Sequence, residues 1–221
     1  MFTVFVFIIS ILVIECLIIK YYIVPELNKI TSSDVAVLKV KKLTENAVIP
    51  SYAHEGDIGM DFTAIGVEYD KEKDLYRYHT GLASESKYLQ GEFIFPRSSN
   101  CKTDAYLCNS VGVVDSSIYR GEIMFCFKNR TSINTRIMEI AMEETFLQCK
   151  KVSDFAKIYE KVKNDLIENR LEEIAMEYAP YNVGDRIGQL IMLNHPKTEI
   201  VEVEELSSSV RGEGGFGSTG K

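Results

Sequence analysis

The strongest constraint on this chain is a series of strand-length apolar runs, each closed by residues that turn the backbone. Val35–Val40, Gly66–Tyr69, Gly91–Phe95, Gly121–Phe127, Gln189–Leu193 and Glu199–Val203 are bounded by Gly, Pro, Asn and Ser. Runs this short cannot sustain the 3.6-residue periodicity of a helix. They bury enough surface only by packing several strands together, so the pattern predicts an antiparallel sandwich or barrel. The apolar fraction of 46% is sufficient for one such core. No longer period repeats along the chain, which excludes a solenoid or propeller.

One stretch breaks the pattern. From about residue 133 to 178 there is no Gly or Pro, and Glu, Lys, Ala, Leu, Ile and Met dominate. Val152, Phe155, Tyr159, Val162 and Leu166 recur at helical steps, and Pro180 ends the run. The expectation is a helical pair, joined near Lys150–Ser153 and inserted into the β domain. Its apolar stripe is expected to pack on its own pair or its own domain. A partner-binding face is the alternative, and the sequence names no partner for it.

The N-terminus carries a different signal. Phe2 to Ile19 is almost wholly apolar, interrupted by Thr3, Ser10 and Glu15. A membrane-spanning helix needs about 20 such residues. Lys20, Lys29, Lys39, Lys41 and Lys42 follow the run and none precedes it, which by the positive-inside rule leaves the remainder on the cytoplasmic side. Residues 1–24 therefore read as a hydrophobic helix that tethers the chain to a membrane through residues 2–19, with a buried or interfacial helix as the alternative. Residues 25–34 read as a linker, and 35–221 as the β domain with its insertion.

The net charge of −7 excludes a broad electrostatic grip on nucleic acid, although a few local cations suffice for one triphosphate. Cys16, Cys101, Cys108, Cys126 and Cys149 show no metal-ligand spacing and fit reduced thiols in a reducing compartment. The glycine-rich end, Arg211 to Lys221, offers unobstructed backbone N–H groups, two hydroxyls, an Arg and one aromatic. Those groups could cradle a polyphosphate while covering a base. Gly212, Gly214 and Gly217 spell a dinucleotide fingerprint, and Gly215 to Lys221 spells most of a Walker A loop. Both devices need a helix to follow, and the chain stops at Lys221, so both are rejected.

Five pieces occur in order: Gly56-Asp-Ile-Gly-Met-Asp-Phe62; Pro96-Arg-Ser-Ser99; Asn109-Ser-Val-Gly-Val-Val-Asp115 with Tyr119-Arg-Gly-Glu122; Gly184-Asp-Arg-Ile-Gly-Gln189; and Arg211-Gly-Glu-Gly-Gly-Phe-Gly-Ser-Thr219. This series, with His79-Thr-Gly-Leu82 between, resembles the motif series of the trimeric dUTPases over residues 35–221, the helical insertion excepted. The resemblance implies a mainly β, jelly-roll-like barrel or sandwich that assembles as a homotrimer. It also implies Mg²⁺-assisted hydrolysis of dUTP to dUMP and pyrophosphate, with the tail of one copy closing over a neighbour's site.

On the same resemblance, Asp115 activates the attacking water and touches the sugar 3′-OH. Tyr119 lies under the deoxyribose, where a 2′-hydroxyl would need room. The family spaces these two as Asp-x-x-Tyr, whereas Asp115-Ser-Ser-Ile-Tyr119 has one residue more. The backbone from Asn109 to Gly112 reads the uracil edge. Arg97, Ser98, Ser99 and Gln189 hold phosphates or the water. Arg211, Phe216, Gly217, Ser218 and Thr219 clamp the γ-phosphate and cover the base. Asp61 holds a water in the outer shell of Mg²⁺. Asp185 and Arg186 read as an internal structural pair, and His54, His79 and His195 receive no role.

Two rival readings remain at the level of sequence. A dCTP deaminase shares the fold, but would need a further carboxylate at the pyrimidine and lacks such a tail. A regulatory, nucleotide-switched binding protein on a dUTPase scaffold would use the insertion and the tether as its working parts.

Overall fold

The computed structural model describes residues 17, 19–23, 36–87 and 90–209. The apolar run over 2–19 lies almost entirely outside these, as do the linker over 25–34, Arg211 and the tail residues beyond it. Residues 19–23 form one helical turn. Among the described residues no helix is long and apolar enough to cross a membrane.

Alternating side chains organise the β domain. In β4 (Leu75–His79) Tyr76 and Tyr78 point inward, and in β9 (Met124–Asn129) Phe125 and Phe127 do the same. Such two-residue periodicity gives each strand one apolar face to bury. β3 (Gly66–Asp70), β4, β9 and β7 (Ala105–Leu107) form one four-stranded sheet. β2 (Met60–Thr63), β10 (Arg186–Asn194), β6 (Gln90–Pro96) and β8 (Gly112–Val114) form a second. β1 (Leu38–Lys42) pairs with β5 (Leu82–Ser86) in a short third sheet. Every ladder among the described residues is antiparallel.

The sheets meet through aromatic rings. Phe62 of β2 meets Phe125 of β9 edge-on at 5.4 Å between centroids. Phe125 also lies against Gly188 of β10, where an added Cβ would come within 2.0 Å of its ring. A side chain at 188 would force the sheets apart, so glycine there sets their spacing. The Tyr78 hydroxyl donates to Tyr181 O at 2.8 Å and accepts from Tyr181 N at 3.0 Å. Burial raises its pKa well above the ordinary phenol value, so the proton that it donates stays in place.

Between β9 and β10 the chain leaves the sheets. α1 (Ile133–Gln148) begins at Ser132, whose Oγ accepts from Thr135 N at 3.2 Å, a normal N-cap. After a break at Cys149–Lys151 and a short turn, α2 (Phe155–Asp165) continues through a π-turn into α3 (Leu171–Glu177). Ile133, Ile137, Ala141, Val162, Leu166, Ile174 and Ala175 form a separate small core. Tyr69 packs against both cores, and the Tyr76 hydroxyl donates to Ala175 O at 2.7 Å, fixing the helices to the sheet.

Several expectations need correction. Glu199–Val203 is not a strand: it runs exposed and unpaired, because its apolar residues find no inward face. Val152 is 93% exposed and does not belong to the buried helical stripe, since it precedes the helix in a turn. The strand expected from Gly121 starts at Met124, after a turn. Strands β2, β4, β5, β7 and β8 were not legible as apolar runs, because polar residues or glycines interrupt them. Cys101, Cys108, Cys126 and Cys149 are free thiols.

Candidate active site

The turn between β7 and β8 is held by Ser110, whose φ of 57° lies in the left-handed region, and by its N–H donating to Leu107 O at 2.9 Å. β8 then pairs with β6, Glu92 opposite Val114 and Ile94 opposite Gly112. Immediately past β8 the chain turns sharply. Asp115 O accepts from Ile118 N at 2.9 Å and from Tyr119 N at 2.7 Å. Ile118 is thrown outward, 80% exposed, while Tyr119 returns to the site. The Tyr119 hydroxyl donates to Glu122 O at 3.1 Å, and its ring lies over Gly121, where an added Cβ would come within 2.3 Å of the hydroxyl oxygen.

These elements enclose a cleft of roughly 320 Å³ lined by Asn109, Gly112, Asp115 and Tyr119, together with Ile94, Glu122 and Met124. The Asp115 carboxylate is exposed and has no hydrogen-bond partner among the described residues, so it is open to accept from a water or a hydroxyl. The floor of the cleft is apolar, supplied by Ile94, Val114, Ile123 and Met124. Apolar walls with one unpaired acid and exposed backbone suit a flat, polar-edged ring beside a hydroxylated sugar.

Sequence reasoning gave no role to Glu122 or His79, and the structure joins them. Glu122 Oε1 accepts from Gly81 N at 2.7 Å, and its Oε2 lies 3.0 Å from His79 Nδ1. Thr80 Oγ1 donates to Ile123 O at 2.6 Å. The His79-Thr-Gly-Leu82 stretch thus buttresses the turn that presents Tyr119. Its presence among the motif-like text was the available signal.

A second cluster gathers around Asp61 of β2, whose side chain is 8% exposed. Asp61 Oδ1 accepts from Arg97 Nε at 2.8 Å and from Gln189 Nε2 at 3.4 Å, and Oδ2 accepts from Arg186 Nη1 at 2.9 Å. Arg186 therefore pairs with Asp61 rather than with Asp185, which instead accepts from Asn182 N at 2.7 Å and caps its own turn. Ser98 and Ser99 open a short 3₁₀ turn after Arg97. That turn is held by Asn100, which accepts from the Tyr181 hydroxyl at 2.8 Å. Two guanidiniums on one carboxylate leave a net positive charge, half-exposed at Arg186, which suits a phosphate.

The two clusters are distinct on one chain. The cleft is lined by none of Arg97, Ser98, Ser99 or Gln189. Arg211, Phe216, Gly217, Ser218 and Thr219 lie outside the described residues. No group of three or more His, Cys, Asp or Glu among the described residues could hold a metal ion. Asp61 has both oxygens engaged by cations and an amide, which leaves Oδ2 one lone pair for a metal-bound water. That leaves room for one water-mediated contact at Asp61, and the described residues build no metal cage.

A sequence model of the dUTPase family matches residues 177–220. The deoxyuridine 5'-triphosphate nucleotidohydrolase of Nautilia profundicola is 31% identical over 185 residues, spanning 83% of this chain and 99% of that protein. That of Clostridioides difficile is 30% identical, spanning 83% of this chain and 97% of its own length. Among solved structures, the Staphylococcus bacteriophage 80alpha dUTPase with dUPNHPP superposes with a TM-score of 0.54 at 22% identity, over 84% of this chain and 99% of that one. At that identity the likeness speaks for the fold alone.

Proposed function

Because the chain belongs to the dUTPase family, we infer that it hydrolyses dUTP to dUMP and pyrophosphate. The observation that carries the chemistry is the unpaired Asp115 carboxylate on the rim of an apolar cleft, one turn from Tyr119. Asp115 accepts a proton from a water and aims it at the α-phosphorus, while its other oxygen holds the sugar 3′-OH. The Asn109–Gly112 backbone reads the uracil edge with fixed N–H and C=O groups, which leave the reversed donor order of cytosine unpaired. Tyr119 fills the space of a 2′-hydroxyl. Arg97 and Arg186, aligned by Asp61, take the phosphates with Ser98, Ser99 and Gln189. Mg²⁺ supplies charge neutralisation on the triphosphate when bound, with Asp61 reaching it through a water. Arg211, Phe216, Gly217, Ser218 and Thr219 close over the γ-phosphate and base.

The separation of the two clusters supports a further part of this reading: a complete site combines the cleft of one copy with the Asp61 cluster of another, in a homotrimer. The test is pyrophosphate release from a panel of deoxynucleoside triphosphates, with and without Mg²⁺. Selective turnover of dUTP is expected, and Asp115→Asn should lower kcat by about 100-fold or more. Ammonia released from dCTP would instead indicate a deaminase.

A further inference from the structure

Helix α1 carries two stripes where one is enough to hold it to the domain. Ile133, Ile137, Ala141 and Thr145 recur every four residues and are buried. One position later at three of these steps stand Met138, Met142 and Phe146, which are 50%, 44% and 70% exposed. The second stripe lies about 100° further round the helix, so the contact that buries the first leaves the second in water. Leu147 and Val152 extend this apolar surface, 83% and 93% exposed. Phe146 is ordered within its own chain, where its ring meets that of Phe155 edge-on at 5.2 Å between centroids. A contiguous apolar surface of this kind marks a contact with something else.

The charges around the surface say what fits it. At one end Glu139 and Glu143 lie beside Met142. Glu139 pairs with Arg136 at 3.3 Å, whereas the Glu143 carboxylate has no partner among the described residues. At the other end Lys150 and Lys151 border Phe146 and Val152, and their ammonium groups meet no carboxylate among the described residues. A surface with an apolar centre, an acidic end and a basic end is complementary to itself after a half-turn. A two-fold axis near Phe146 brings Glu143 of each copy toward Lys150 and Lys151 of the other. An anionic lipid surface would attract the lysines and repel the glutamates, so it suits only half of the face. The apolar run at residues 2–19 offers one acid, Glu15, and no cation for Glu143.

We propose that α1 is a two-fold contact through which this chain pairs with a second copy of itself. Phe146 is the central anchor, and the charged ends fix the antiparallel direction. Covering the exposed apolar side chains on both copies removes on the order of 1,000 Å² from water, the lower limit for a specific interface. The pairing stands apart from the trimer. With the trimer it joins six chains, and without it two.

Sedimentation velocity of the full chain over a hundredfold range of concentration tests the pairing, with dUTP turnover measured beside it. The parent should reach six chains, or two if no trimer forms. Phe146→Asp should halve that mass, while turnover per chain stays within about twofold of the parent. Glu143→Lys should also halve it, and so should Lys150→Glu combined with Lys151→Glu, because each makes both ends alike in charge. An equimolar mixture of these two charge variants, now opposite in sign to each other, should recover the parental mass. A parent of one or three chains at every concentration overturns the pairing and leaves the face to another occupant. A parental mass that Phe146→Asp does not change overturns it by placing the contact elsewhere, and a fall from six chains to one overturns it by placing α1 in the trimer. Charge variants that dissociate but do not recover on mixing overturn the two-fold direction and the proposal with it.

Discussion

Single residues in this protein are chosen as much for what they fix as for what they touch. Asp61 was expected at a metal's outer shell, yet its direct partners are Arg97, Arg186 and Gln189, three residues from two other motifs. Spacing along a sequence cannot reveal such convergence, because β2, β6 and β10 become neighbours only in the sheet. Glu92 was invisible for a similar reason: in text it is one acid among many, and only the inward face of β6 makes it exceptional. Burial raises its pKa, which has a thermodynamic consequence. The folded chain keeps a proton that the unfolded chain releases near the ordinary value of 4.5. The ionisation of Glu92 therefore adds no cost below that pH and destabilises the fold progressively as pH rises from there through its folded pKa. Thermal unfolding of Glu92→Gln against the parent should show a gain in Tm that is larger at pH 8 than at pH 4. An equal gain at both would mean that the carboxyl titrates normally.

At the scale of elements, the helical insertion was legible from composition and periodicity, because absence of Gly and Pro over so long a stretch is a strong signal. Its packing was legible too: Val162 and Leu166 do face a core of the helices' own making. Val152 failed because the periodic stripe was extended across a turn that ends one helix before the next begins. The short strands β7 and β8 escaped notice, since three residues each give alternation too little length to register. Ile137 is 1% exposed at the centre of the helical core. Ile137→Ala should cost about 2–5 kcal/mol of stability by denaturant unfolding. Because no helical residue lines the cleft, kcat for dUTP at 20 °C below the variant's Tm should match the parent within about twofold. A kcat that fell with stability would tie the insertion to the chemistry.

For the whole molecule, the division of site residues into two clusters leads to an assembly experiment. Asp115→Asn disables the cleft and Arg97→Ala disables the phosphate cluster. If a site takes one half from each of two copies, mixed oligomers contain some sites with both halves intact. Co-refolding the two inactive variants should restore a readily measured fraction of activity, about a quarter or less of the parent's. Equal inactivity in the mixture would mean that each chain completes its own site. The motif order singled out the residues of both clusters in the sequence, but their division into two clusters follows from the folded sheets alone.

The helices depart from the barrel after Asn129 and return at Tyr178, and Asn129 Nδ2 donates to Tyr178 O at 2.8 Å. Exit and re-entry are thus one side chain apart, like the two posts of a gate. A polypeptide arranged this way can exchange whatever hangs between the posts, long or short, without redrawing the walls behind it. The excursion is a cartridge, slotted between one strand and the next.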